Sequence, residues 1–292
     1  MSPYVAEFVG TMLLILFGNG VVANVLLKRT KGNDAGWIVI SAGWGVAVYI
    51  GAFCSNEYSG AQLNPAVTVA TMLNGDLGYL MGAGYMLAQF LGAMTGALLV
   101  YLFYREHFTV TQDPDAKLAC FSTAPNIRKS GQAFFCEMIG TFALILPIFL
   151  IASPTLVHET KSPVAETVSS DSAASVSDAE RTDNESSRPE STLPESTLPE
   201  STLPESTLGL GSLGLLPVGL LVFGIGMSLG GTTGYAINPA RDLGPRLIHA
   251  FLPIKGKRDS DWSYAWVPVA GPIAGAILAT GVFKLLSMTV SS

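Results

Sequence analysis

Charged residues are scarce in this chain of 292 residues: Asp, Glu, Lys and Arg make up 13% of the sequence, whereas hydrophobic residues make up 49%. An ordinary soluble domain carries about twice that share of charge, so the composition excludes one. Cysteine is also scarce. Cys54, Cys120 and Cys136 are an odd number, which argues against a framework of disulfides and favours buried thiols. A membrane protein with several crossings is the class that fits.

Long apolar runs are abundant, and six of them are long enough to cross a bilayer. They lie at about residues 4 to 27, 36 to 55, 79 to 104, 131 to 153, 209 to 232 and 264 to 287. The first run contains Glu7 and has neither a basic leading region nor a small-residue cleavage site. We therefore predict a retained span rather than a signal peptide, and an all-α membrane protein with six crossings.

The net charge of −6 arises from one segment, residues 154–208. It contains 11 of the 22 acidic residues but three of the 16 basic ones, so its net charge is −8 and that of the remainder is +2. It ends in four tandem copies of Pro-Glu-Ser-Thr-Leu at residues 189–208. Such a composition cannot bury a core. We predict a disordered acidic insert, with a regulatory or degradation-signal role as the alternative, that interrupts one membrane domain made of residues 1–153 and 209–292.

The same tripeptide occurs once in each half of the chain, as Asn64-Pro65-Ala66 and Asn238-Pro239-Ala240. Asn is a favoured helix N-cap and Pro is tolerated at the first helical position, so each copy predicts a helix start. Both copies follow apolar spans too closely to lie in solvent loops. Irregular backbone inside a membrane persists only beside a water-filled cavity, so the two helices are predicted to line a pore.

The two halves are related by an inverted repeat. Each half has three spans and one half-helix, and because three is an odd number the second half enters the membrane from the opposite side. The two half-helices therefore come from opposite faces, and their N-termini meet near the midplane. The residues that match between the first and fourth spans are Glu7, Gly10 and Thr11, and Glu137, Gly140 and Thr141.

Two helix N-termini that face one point create an electrostatic barrier to cations and protons, whereas neutral solutes pass. The side-chain amides of Asn64 and Asn238 would donate hydrogen bonds to a passing hydroxyl or water, and exposed loop carbonyls would accept them. The sequence thus predicts a passive channel for small neutral solutes. We interpret Glu7 and Glu137 as structural acceptors for loop N–H groups; a proton relay is the alternative.

With these features in place, the chain resembles the major intrinsic protein family of aquaporins and glycerol facilitators. The run Gly234-Tyr235-Ala236-Ile237 and the Asp242 that follows Arg241 are similar to the glycerol-facilitator branch. The resemblance implies six transmembrane helices with two re-entrant half-helices, a homotetramer in the plasma or inner membrane, and a cytoplasmic insert. It implies glycerol and water as solutes and the bilayer as a partner, with no cofactor, metal or nucleic acid.

The resemblance also implies a selective constriction formed by Trp44, Gly226, Tyr235 and Arg241. Trp44 would be an apolar wall for the carbon chain of a polyol, and the fixed charge and donors of Arg241 would bind its hydroxyls and repel cations. Gly226 would supply room, the Tyr235 hydroxyl would make the constriction more polar, and Asp242 would suit the positive start of its helix. A water-selective channel is the alternative within the family.

Two further hypotheses come from other classes. Inverted repeats with broken helices and membrane carboxylates also occur in secondary active transporters. In addition, Gly226-Met227-Ser228-Leu229-Gly230 matches a hydrolase nucleophile motif, with Asp242 and His249 downstream in the order of a triad. That motif requires a strand before the serine, whereas this run is typical of a membrane helix, so we do not expect an enzyme.

Overall fold

The computed structural model describes residues 1–151 and 211–290, and these residues are organised as helices joined by loops. The insert predicted at residues 154–208 lies outside the described residues, and its boundaries stay a prediction. The helices are α1 Pro3–Leu26, α2 Trp37–Ser59, α3 Pro65–Asn74, α4 Tyr79–Phe103, α5 Arg105–Val110, α6 Pro114–Ala119, α7 Ser130–Leu150, α8 Leu216–Ser228, α9 Pro239–Phe251 and α10 Val267–Val290. A short 3₁₀ helix, Gly211–Leu215, precedes α8.

Five of the predicted crossings correspond to helices that are long and apolar enough to span a bilayer within the described part of the chain: α1, α2, α4, α7 and α10. The fifth crossing in chain order differs from the prediction of residues 209 to 232. Its α-helix, α8, covers Leu216–Ser228 only, because the backbone turns at Leu229–Thr233 instead of continuing as a helix. The all-α fold with two half-helices is confirmed.

Two short helices, α5 and α6, were missed because each has six residues and neither forms an apolar run. They lie in the connection between α4 and α7. The Asp113 carboxylate starts α6 by accepting hydrogen bonds from the backbone N–H groups of Asp115 at 2.8 Å and Ala116 at 3.2 Å. This N-cap satisfies donors that a helix start leaves free.

Each half-helix packs against the third long helix of the opposite half of the repeat. The half-helix α3 contacts α10, and α9 contacts α4. Within each half, α1 packs against α4 and α7 packs against α10. The two halves are therefore interleaved around the half-helices rather than placed side by side.

Glycines permit the close approach of the α1–α4 and α7–α10 pairs. A Cβ atom added at Gly92 or Gly96 of α4 would overlap backbone atoms of α1. In α10, a Cβ at Gly275 would overlap the backbone of α7, and one at Gly271 would lie 2.7 Å from Glu137 Cβ. Small residues at helical spacing let neighbouring helices approach closely, and these four glycines have this effect here.

Large apolar side chains cover the outside of the bundle. Leu80 is 89% exposed and Phe103 is 79% exposed, whereas Glu7, Glu137, Asp242 and Arg246 are buried inside. This distribution is the reverse of a soluble protein and matches helices whose outer faces contact lipid. The chain is a multi-pass membrane protein.

Candidate functional site

The two half-helices meet through a reciprocal pair of hydrogen bonds. Asn64 Oδ1 accepts a hydrogen bond from Ala66 N at 2.9 Å and so caps its own helix, α3. Asn64 Nδ2 donates across the repeat to the carbonyl oxygen of Ile237 at 2.9 Å. The side chain therefore joins the start of one half-helix to the loop that precedes the other.

Asn238 repeats this arrangement from the other side. Its Oδ1 accepts hydrogen bonds from Ala240 N at 3.0 Å and Arg241 N at 3.2 Å, and its Nδ2 donates to the carbonyl of Leu63 at 2.9 Å. A side-chain amide has two N–H groups, so the cross-repeat bond of each Asn leaves one hydrogen available to another acceptor. Pro65 and Pro239 occupy the first helical positions, where no N–H is needed.

The loop before each half-helix has an unusual backbone. Ala61 and Leu63 in the first loop have φ of 50° and 52°, and Tyr235 and Ile237 in the second have 37° and 44°. Left-handed φ at non-glycine residues costs about 1–3 kcal/mol each and persists only where surrounding contacts hold it. The alternation turns consecutive N–H groups toward the same side of the loop.

Glu7 holds the first loop in this conformation. Its carboxylate accepts hydrogen bonds from Gln62 N at 2.9 Å and Leu63 N at 2.7 Å. The Ser59 hydroxyl donates to it at 2.6 Å and Gln89 Nε2 at 2.7 Å. Four donors thus surround a fully buried carboxylate, which offsets the loss of its hydration.

Glu137 holds the second loop in the same way with three donors. They are Ala236 N at 3.0 Å, Ile237 N at 2.8 Å and the Thr233 hydroxyl at 2.7 Å. Because the N–H and C=O groups of a trans peptide point in opposite directions, the carbonyls of Tyr235 and Ala236 face away from the carboxylate. The first loop repeats this geometry, and both loops line a cavity.

Two cavities meet inside the bundle. The first, of about 300 Å³, is lined by both loops and both Asn side chains. The second, of about 780 Å³, opens among polar loop residues such as Asn126 and Arg128. Both cavities are lined by Trp44, Tyr235 and Arg241, and we call these three residues the junction.

Arg241 and Trp44 face each other at the junction. The guanidinium carbon lies 4.2 Å from the centroid of the Trp44 ring, within the range of a cation–π interaction. Arg241 is 6% exposed, and its Nη1 is buried with no hydrogen-bond partner among the described residues. The junction therefore combines an aromatic wall with a charged group whose donors are not all used.

Gly226 differs from its predicted placement, and the Tyr235 hydroxyl lies beside it. Gly226 does not line either of these two cavities, and a Cβ added there would lie 2.8 Å from the Tyr235 hydroxyl and 3.0 Å from Ser41 Oγ. The space that glycine leaves is filled by the tyrosine. The Tyr235 hydroxyl is buried there, although the residue lines both cavities; that it makes the constriction more polar stays a prediction.

Asp242 and Arg246 fix the start of α9 to a distant loop. The Asp242 carboxylate accepts hydrogen bonds from the backbone N–H and the hydroxyl of Thr123, both at 2.7 Å. Arg246, one turn later, forms a buried ion pair with Asp242 at 2.8 Å and donates to the Thr123 carbonyl at 2.9 Å. Asp242, the residue next to Arg241, is thus bound both by Thr123 of the loop and by Arg246 of its own helix.

A sequence profile of the major intrinsic protein family matches residues 1–168 and 197–283, which is well over half of the chain. The chain belongs to the major intrinsic protein family. Proteins of this family are channels and facilitators. The internal stretch that the profile leaves unmatched, residues 169–196, falls within the acidic segment.

Bacterial members of the family resemble the chain along its length. A probable glycerol uptake facilitator protein of Thermotoga maritima is 44% identical over 286 residues, and the match covers 98% of this chain and 100% of that protein. A glycerol uptake facilitator protein of Streptococcus pneumoniae is 42% identical over 285 residues, with 98% and 99% covered.

The fold is also similar to a solved structure of the family. The X-ray structure of the aquaglyceroporin from Plasmodium falciparum superposes with a TM-score of 0.69 at 26% identity. The superposition covers 99% of this chain and 97% of the other. The similarity therefore extends over the whole membrane domain.

Several residues that position this family member's loops were missed from the sequence. Gln89 reaches Glu7 and Thr68 from α4, and Thr123 reaches Asp242 from a loop. No local pattern connects these pairs. Arg246 could have been found, because its spacing of four residues from Asp242 on a predicted helix favours an ion pair.

Charged residues, among them Asp115, Arg128 and Arg258, line the second cavity. Arg128 pairs with Asp261, and Arg258 pairs with Asp115. The hydrogen bond that Arg258 donates to the Asp115 carboxylate raises the pKa of Arg258 above its ordinary value. Lys257 donates to three carbonyls at the C-terminal end of α9, those of His249, Ala250 and Leu252. A positive charge there stabilises the helix end.

The residues of the hydrolase hypothesis are not brought together. Ser228 ends α8, which is a helix and not a strand. His249 Nδ1 contacts Ser260 Oγ at 2.8 Å, and Asp242 is occupied by Thr123 and Arg246. These three residues follow the order of a triad along the chain, but the contacts described here do not join them into one.

Proposed function

We propose that this chain is a passive channel for glycerol and other small neutral solutes, with water, that excludes ions and protons. The observation that carries the proposal is the junction, where an aromatic wall and an arginine lie together between two cavities. Carbon atoms of a polyol contact the Trp44 ring while its hydroxyls accept from Arg241. The relatives named as glycerol uptake facilitators support the choice of solute.

Hydrogen-bonding groups continue along the first cavity. The second N–H of Asn64 and of Asn238 donates to a hydroxyl, and the loop carbonyls accept from it. A solute with several hydroxyls thereby exchanges its hydration for protein contacts at each step. The two helix starts that meet here carry partial positive charge, which opposes cations.

The arrangement favours a channel over the other classes. Glu7 and Glu137 have their oxygens committed to loop donors, which supports a structural role rather than proton coupling. The separate contacts of Ser228, Asp242 and His249 support a protein without hydrolase activity. From the family resemblance we propose a homotetramer in the cell membrane, with the acidic segment in the cytoplasm.

Osmotic swelling of proteoliposomes tests this function. Vesicles with the protein are expected to shrink and then re-swell in glycerol, faster than vesicles without protein. Val222→Trp should suppress the re-swelling because Val222 is buried and lines the first cavity. Leu220→Trp is the matched control, since Leu220 lies on the same helix and is 58% exposed on its outer side.

Three outcomes would contradict the proposal. Passage of water without glycerol would show a water-selective channel. Saturable glycerol flux that collapses with an ionophore would show a transporter. Equal suppression by both tryptophan variants at equal protein content would place the solute pathway elsewhere.

A further inference from the structure

Trp37 is the first residue of α2 and contacts Gly226 and Tyr235, both of which are distant from it in sequence. Its ring lines the second cavity and is 39% exposed. Its Nε1 donates to the carbonyl of Gly226 at 2.9 Å. Gly226 lies in the last turn of α8, where carbonyls lack partners within the helix. Trp37 thereby provides a hydrogen-bond donor for the carbonyl of Gly226, the residue beside which the Tyr235 hydroxyl lies.

The Trp37 ring also contacts Tyr235 directly. The two rings meet edge to face, with centroids 5.9 Å apart and an interplanar angle of 77°. Pairs of this geometry are attractive beyond their buried area. Since Tyr235 is one of the three junction residues that line both cavities, Trp37 contacts the junction through Tyr235.

The remaining contacts of Tyr235 complete a seat formed by Trp37, Ser41, Gly226 and Gly230. The hydroxyl lies beside Gly226 and Ser41, and a Cβ added at Gly230 would overlap the ring. Two glycines thus leave space for the ring against the end of α8. Trp37 closes this seat on the side of the second cavity.

We propose that Trp37 is a positioning residue that sets the size limit for polyols by holding Tyr235 in this seat. The inference rests on the proposed function as a glycerol channel. Loss of the Trp37 ring opens space toward the second cavity, into which Tyr235 moves away from Arg241. The junction then widens, and the permeability to longer polyols rises relative to the permeability to glycerol.

The permeability ratio of erythritol to glycerol tests the inference, because a ratio does not depend on the number of folded channels. Trp37→Leu should raise the ratio about two- to tenfold, the range that corresponds to one aromatic pair. Trp37→Phe retains a ring beside Tyr235 and should stay closer to the wild type. Trp262→Leu is the matched control, since Trp262 is 47% exposed and does not line either cavity.

A second variant is designed to move the Tyr235 ring in the opposite direction. Gly230→Ala places a methyl group 2.4 Å from the Tyr235 ring and 2.6 Å from the carbonyl oxygen of Gly226, a member of the same seat, and is expected to push the ring toward the pathway. The ratio of glycerol to water permeability should then fall. Opposite changes from Trp37→Leu and Gly230→Ala would support the seat as the determinant of width.

The outcomes separate this inference from the proposed function. If the wild type conducts glycerol and Trp37→Leu leaves the erythritol ratio unchanged, or lowers every solute in proportion, Trp37 contributes to folding alone and the inference is wrong. If the wild type conducts no glycerol, the proposed function fails first.

Discussion

Arg241 combines a fixed charge with an incomplete set of hydrogen bonds. Its guanidinium lies over Trp44, and its Nη1 has no partner among the residues that the structure describes. A guanidinium stays charged under all physiological conditions. We therefore propose that this charge adds a barrier to cations at the junction, in series with the two helix starts.

Replacing Arg241 with leucine should produce a partial proton and cation leak. One positive barrier is removed while the helix ends remain, so we expect a rise of about tenfold, equivalent to about 1.4 kcal/mol of barrier. A pH-sensitive dye inside proteoliposomes measures the leak. Arg105→Leu removes the same charge from an exposed site and should leave the leak unchanged. A folded Arg241→Leu protein without added leak would make Arg241 a packing residue.

For single residues, the sequence predicted those roles that depend on the neighbouring residues in the chain. The two Asn caps are examples, because Asn is a favoured N-cap and Pro suits the first helical position, so the tripeptide itself indicates a helix start. The orientation of the Tyr235 hydroxyl was not predictable, since it depends on Gly226 and Ser41, which reach it only after folding. Gln89 was missed for the same reason: its partner Glu7 is on another helix.

At the scale of elements, the two loops depend on buried carboxylates. Glu137→Gln replaces one acceptor oxygen with an NH₂ group that faces a backbone N–H. Leaving such a donor unsatisfied costs about 1–3 kcal/mol, so the midpoint of thermal unfolding in detergent should fall. Glu57→Gln, at an exposed position in α2, is the control.

The same variant separates a structural role of Glu137 from proton coupling. If the carboxylate is structural, the glycerol flux of the wild type is the same with and without a pH gradient. A flux that follows the gradient in the wild type, and loses this dependence in Glu137→Gln, would establish a proton relay instead.

Helix packing at α10 gives a second test on this scale. Gly275→Val should destabilise the protein by about 1–3 kcal/mol, because even its Cβ overlaps the backbone of α7. Gly281→Val is a matched control in the same helix, since no atom lies within 4 Å of a Cβ added there. Thermal unfolding of the two variants measures the difference. Equal stability of the two variants would show that α7 and α10 can move apart without loss of stability.

Long apolar helices were predictable because their composition alone determines them. The length of α8 was not: the predicted span continued to residue 232, but the helix ends at Ser228 and the chain then turns at Gly230, which contacts the Tyr235 ring. The helices α5 and α6 were missed because tertiary contacts and an Asp cap, rather than periodicity, stabilise six-residue segments.

At the scale of the whole molecule, the acidic insert is separable from the channel by composition. Deleting residues 154–208 and joining the flanks with a short flexible linker should leave glycerol flux within about twofold, because such a segment buries no core and loop length has a weak effect on stability. Swelling rates per channel measure this. A large loss of flux in a protein that still assembles would assign the segment a gating role.

The interleaving of the two halves also determines when the pore can be completed during synthesis. The half-helix α3 packs against α10, and Lys284 of α10 donates to the Leu73 carbonyl at the end of α3 at 2.8 Å. The last described helix to emerge from the ribosome is therefore the partner of the first re-entrant segment. A nascent chain cannot complete its pore from the first half alone, and Asn64 has no Ile237 carbonyl to bind until the second loop is synthesised. Completion of the pathway is accordingly expected late in biogenesis, after the second loop and α10 have been synthesised.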